Sequence, residues 1–132
     1  MLAPSYPYSQ KTRIARSSAA SVRADDGAES FGTYAASTAA LRSYTRTWAN
    51  ELKDRDIRVN AVSPRTGTID TPALSGVAPA EEVEAVRAEF AAKVPFRRAG
   101  TSEAAAVAFL ASDQSSFAVG ANLYVDGGEN QL

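Results

Sequence analysis

The 132-residue chain contains no cysteine and no histidine. Those absences exclude thiolate nucleophiles, disulfide frameworks, zinc sites of the Cys/His type and any triad that uses imidazole as its base. Proton chemistry is left to tyrosine, lysine or carboxylates. Lysine itself is scarce, occurring only as Lys11, Lys53 and Lys93. Neither sign of charge is in excess: 14 basic against 15 acidic side chains give a formal net charge of -1, so no global field draws the chain to nucleic acid or anionic lipid. The longest unbroken apolar run, Ala104 to Ala111, falls far short of the ~20 residues needed to cross a bilayer, and the first residues lack the charged-then-apolar order of a secretory signal. A soluble, cytoplasmic protein with no nucleic-acid or membrane partner and no metal is expected. At roughly 100 to 200 residues per domain, the chain is a single domain or a piece of one.

Residues 1–11, with Pro4 and Pro7 and no apolar period, read as an irregular leader, and 12–132 as the folded part. Residues 12–24 suit a short strand ending in hydroxyl-bearing residues, followed by a polar loop with Asp25, Asp26 and Gly27. From Tyr34 to about Asp54, Leu41, Tyr44, Trp48 and Leu52 recur at three- and four-residue steps and predict an amphipathic helix. Ile57, Val59, Ala61 and Val62 suit a strand that stops at Pro64, where the backbone loses a donor. A Thr-, Gly- and Pro-rich loop spans 65–80, Pro79 opens an acidic-faced helix through Phe90, a further helix runs from Ser102 to Asp113, and Asn122 to Val125 is a last strand. Strands separated by helices predict an α/β architecture of about three parallel strands, completed by further strands beside the first.

The segments that could carry chemistry are Ser17-Ser18-Ala19-Ala20, the run Tyr34 to Ala40 that opens the long helix, Ile57 to Pro64 with Gly67-Thr68-Ile69-Asp70-Thr71-Pro72 beyond it, and Val125-Asp126-Gly127-Gly128. Taken in that order they resemble the short-chain dehydrogenase/reductase family, over about residues 12–128. The resemblance is to the carboxyl-terminal half of the family's doubly wound domain, so the implied fold is a partial Rossmann-like one.

By that resemblance the activity is NAD- or NADP-dependent interconversion of an alcohol and a carbonyl by hydride transfer. Tyr34 occupies the place of the family's acid/base tyrosine. Ser18 matches the serine that polarises the substrate oxygen; Ser21 has the family's more usual spacing to the tyrosine, and both stay open. Thr38, Pro64, Gly67, Ile69 and Thr71 fall at cofactor-binding places, and the segment from Leu74 to Phe96 would cover the substrate. Each has a plainer alternative: Tyr34 as a packing aromatic at a helix start, the serines as strand-end backbone partners, Asp70-Thr71-Pro72 as a turn.

The sequence departs from the family pattern in three places. A free phenol has a pKa of about 10, and the family lowers it with a lysine one helical turn later, where this chain has Thr38. At about 6 Å and an effective dielectric of about 20, that ammonium is worth about 3 kcal/mol, or about two pKa units. Arg42, two turns on from Tyr34, lies too far along the axis to replace it. Arg65 and Thr66 separate Pro64 from Gly67, where the family has an adjacent Pro-Gly pair. None of the eight glycines clusters into the turn that cradles a pyrophosphate at a helix amino terminus. An impaired or truncated enzyme is therefore expected, with a small-molecule alcohol or carbonyl as partner and a homo-oligomer allowed. The alternatives are a non-catalytic association module or an inactive truncated product.

Overall fold

The computed structural model describes residues 15–65, 79–100, 104–130 and 132, with side chains from residue 20 onward apart from Ala104. Within them the order is β1 (Ala15–Ala19), α1 (Gly32–Leu52), β2 (Arg58–Pro64), α2 (Val83–Lys93), α3 (Ala104–Ala111) and β3 (Asn122–Val125). The three strands form one parallel sheet in the order β1-β2-β3, with Ser18 opposite Ala61 and Ser63 opposite Tyr124. The α/β architecture and the parallel pairing expected from the sequence are both present. The expected leader, residues 1–11, lies outside the described residues.

Every residue of β2 before Pro64 is buried, as a central parallel strand covered on both faces requires. Alternate side chains meet different layers. Val59 packs with Ile57, Ala49 and Leu52 on the α1 side. Arg58, one step out of phase, sends its buried guanidinium into the end of α3, donating to the carbonyls of Leu110 and Ser115 at 3.0 Å, Ser112 at 3.1 Å and the Ser115 hydroxyl at 2.9 Å. These acceptors sit at the negative end of α3, which offsets the cost of burying a cation.

Helix α1 is where expected, but the sequence periodicity picked the wrong stripe for its buried side. Tyr44 and Trp48 are exposed, and the residues buried against the body are Thr38, Thr45 and Ala49, with Leu41 and Leu52 half-buried. A helix lying on a parallel sheet must present small side chains to approach it, which turns the aromatics roughly 80 to 120° round the axis. The helix ends in a 3-10 turn, Lys53–Arg55, closed by Asp56 in the left-handed region at φ 55°. The expected strand at 12–24 is shorter: β1 stops at Ala19 and Val22–Ala24 form a 3-10 turn. Pro79 does not begin α2. It accepts from Glu82 N at 2.9 Å in the turn before the helix, which starts at Val83.

Candidate active site

In a parallel sheet each helix must run back against the strands. The amino terminus of α1 therefore lies toward the edge where β1 and β2 end, and its carboxyl terminus toward the edge where β2 begins. Tyr34 in the first turn of α1, Ser18 next to the end of β1 and Pro64 at the end of β2 thus belong to one edge, the carboxyl edge, where open α/β sheets bind ligands. Gly67, Ile69 and Thr71 lie outside the described residues.

The Tyr34 ring is 43% exposed and meets Phe31 edge-to-face, with centroids 6.4 Å apart. It is not packed beneath aliphatic side chains in the manner of a core aromatic. One turn on, Thr38 is buried, and its hydroxyl donates to the carbonyls of Tyr34 at 3.2 Å and Ala35 at 3.1 Å. Its proton is committed to the helix, and an acceptor lone pair remains for a ligand. Ser21 is buried, and its hydroxyl oxygen accepts from Arg23 N at 3.2 Å, capping the short 3-10 turn. That is a backbone-satisfying role. Ser18 is described by its backbone, in register opposite Ala61.

Arg42 does not turn back toward Tyr34. Its guanidinium is paired with Asp25, and it lies over the Tyr124 ring at 5.7 Å. Asp25 also accepts from the Tyr124 hydroxyl at 2.7 Å and from Asn130 Nδ2 at 3.4 Å. One carboxylate thereby ties the segment after β1 to α1, β3 and the carboxyl-terminal turn. Burial alone would raise the Asp25 carboxyl, but the hydrogen bonds from Arg42 and Tyr124 outweigh it and hold it below its ordinary value. The Tyr124 phenol is pushed up, by burial and then by the hydrogen bond it donates to Asp25. Arg42 is raised by its hydrogen bond to Asp25. This network went unnoticed in the sequence because Asp25 and Tyr124 are 99 residues apart and no spacing rule joins them.

Among the described residues no group of three or more acidic, histidine or cysteine side chains could hold a metal ion. No described helix is long and apolar enough to cross a membrane.

A family model described as enoyl-(acyl carrier protein) reductase matches residues 12–130. The chain is 42% identical over 97 residues to a 3-oxoacyl-(acyl-carrier-protein) reductase of Thermotoga maritima, covering 72% of this chain and 37% of that protein. It is 45% identical over 104 residues to a cis-4-hydroxycyclohexanecarboxylate dehydrogenase of Sinomonas cyclohexanicum, covering 77% of this chain and 39% of that one. The chain thus spans about two fifths of the length of these relatives. Among solved structures, the ligand-free aldohexose dehydrogenase of Thermoplasma acidophilum superposes with a TM-score of 0.78 at 32% identity, over 87% of this chain and 47% of the other. On the sequence motifs, the three-stranded parallel sheet and these similarities, the chain belongs to the short-chain dehydrogenase/reductase family.

Proposed function

We propose that this chain serves the NAD- or NADP-dependent interconversion of an alcohol and a carbonyl. The observation that carries the proposal is the half-exposed Tyr34 phenol in the first turn of α1, at the carboxyl edge of a parallel sheet. The family's dehydrogenases and reductases support the reaction class. When bound, the nicotinamide supplies the hydride to the carbonyl carbon, or takes it from the alcohol carbon. In reduction, Tyr34 Oη gives its proton to the carbonyl oxygen as the new C–H bond forms; in oxidation it receives that proton back. Ser18 donates a hydrogen bond to the same oxygen and fixes its direction. Pro64, Gly67, Ile69 and Thr71 border the nicotinamide, and Thr38 accepts from a ribose hydroxyl.

The fit to a dinucleotide is one-sided. The nicotinamide end is matched by an accessible phenol beside a strand end. The start of α2 does not suit the pyrophosphate, because it lies among Glu82 and Glu84. Anionic phosphate is disfavoured beside those carboxylates.

Titration calorimetry of the chain with NAD and NADP at millimolar concentration tests the proposal. Measurable affinity supports it, and no heat of binding with either cofactor rejects it for this chain.

A second reading, association through α1, is favoured by one observation. Tyr44 and Trp48 stack at 5.2 Å between centroids on the exposed side of the helix. Exposed stacked aromatics of this kind are enriched at protein interfaces. Sedimentation velocity reads it out: a concentration-dependent dimer that Trp48→Ala abolishes supports association, and a monomer at every concentration rejects it.

A further inference from the structure

Tyr34 stands in the first turn of α1, and a helical side chain leans back over the turn before its own Cα. The residue in that place is Phe31, three positions earlier, whose ring meets that of Tyr34 edge-to-face with centroids 6.4 Å apart. Phe31 has a neighbour of its own: the Arg23 guanidinium lies over its ring, 5.3 Å from the centroid. Three side chains thus run in contact from the segment after β1 to the phenol.

Arg23 is well anchored. Its side chain is 12% exposed and paired with Asp26, and its backbone N–H donates to the buried Ser21 hydroxyl at 3.2 Å. The 3-10 turn that carries it, Val22–Ala24, packs against α1 and contains the fully buried Val22. Asp25, just beyond, pairs with Arg42 of the same helix. An exposed tyrosine in a helix has two open χ1 rotamers, at about 180° and about -60°. A fixed neighbour that meets the ring in one of them selects it. Phe31, 38% exposed, is such a neighbour only when its own ring is held, and a guanidinium over the ring holds it. Because Asp26 neutralises the guanidinium, Arg23 acts as a flat platform more than as a free charge.

We infer that Arg23 is a positioning residue for Tyr34: by holding the Phe31 ring, it selects one side-chain rotamer of the tyrosine. The selection stands on the contacts alone. Its consequence for cofactor binding rests on the function proposed above, in which Tyr34 works beside the nicotinamide.

The Hα–Hβ couplings of Tyr34, measured by NMR on the isotope-labelled full chain and assigned with Tyr34→Phe, read the rotamer directly. One large and one small coupling, the pattern of a single rotamer, are expected in the parent. Arg23→Met keeps the stem without the planar cation, and Phe31→Leu keeps apolar bulk without the ring. Both should give two intermediate couplings, the average of two rotamers, and Arg23→Lys should recover part of the parent pattern because an ammonium can still sit over the ring. Tyr44, stacked on Trp48 further along α1, should keep its couplings throughout. Averaged couplings in the parent, or unchanged couplings in a folded Arg23→Met, overturn the inference. So do unchanged couplings in Phe31→Leu, whatever Arg23→Met does to the fold. Titration with NADH and NADPH then separates the two levels. Binding by the parent that weakens about fivefold in Arg23→Met, the factor that one exposed cation–π contact amounts to, supports a role toward the cofactor. Equal binding in both overturns that role. Absence of binding by the parent rejects the proposed function and leaves the couplings to decide the positioning.

Discussion

Thr38 stands one turn beyond Tyr34 in α1, and its buried hydroxyl donates to the Tyr34 carbonyl at 3.2 Å. The residue placed to tune the phenol is therefore neutral and bonded to the helix backbone. In the proposed reaction Tyr34 has no ammonium one turn along α1, and Arg42, the next cation along the helix, is held by Asp25.

Thr38→Lys puts that ammonium in place. A charge at about 6 Å favours phenolate by about two pKa units. The expected outcome is a pH optimum for alcohol oxidation lowered by about that amount, or a rate restored where the parent has none. It is measured as nicotinamide absorbance against pH with saturating cofactor. An unchanged profile and rate would separate Tyr34 from the proton transfer.

Asp25 contributes to the acid limb of stability. Its folded-state pKa lies below its ordinary value, so its contribution is fully present above the unfolded pKa of about 4 and is lost as pH falls through the lower folded value. Thermal melts from pH 6 down to pH 2.5 should show Asp25→Asn losing its penalty relative to the parent in that range. A constant difference in melting temperature at all pH values would contradict the network.

Arg58→Met removes four donated hydrogen bonds at the end of α3, leaving its carbonyls only their bonds from the Ser115 hydroxyl and from backbone N–H groups. A loss of about 3 kcal/mol is expected, read from urea unfolding. A loss below about 0.5 kcal/mol would mean that α3 does not depend on this cation.

Gly127 is in the left-handed region at φ 66°, and a Cβ there would run into Val94 Cγ1. Val94 is buried and cannot swing away. Gly127→Ala should therefore cost more than about 1 kcal/mol by urea unfolding, from the backbone conformation and the clash together. Gly27 has open space around its Cβ position and should tolerate alanine within about 0.5 kcal/mol.

Local patterns carried much of the fold. The apolar run of β2 and its stop at Pro64, the length of α1 and the parallel order all follow from periodicity and connection length. The buried stripe of α1 did not, because hydrophobicity favours Trp48 and Tyr44 while close approach to a sheet favours Thr45 and Ala49. In the candidate site, Tyr34 was singled out by the family resemblance of the run Tyr34 to Ala40, and it stands half-exposed in the first turn of α1. Arg65 read only as an interruption between Pro64 and Gly67, since its partners Phe90 and Glu129 lie 25 and 64 residues away in sequence. Long-range pairing of polar side chains leaves no periodic trace in a single sequence.

The most direct measurement is a heteronuclear NMR titration of the isotope-labelled chain with NADH and NADPH up to millimolar concentration. Saturable shifts confined to Tyr34, Thr38 and the residues around Pro64 and Arg65, lost from the helix start in Tyr34→Phe, are the expected result. Spectra that do not change, or shifts scattered over the molecule without saturation, would contradict a nicotinamide site beside Tyr34.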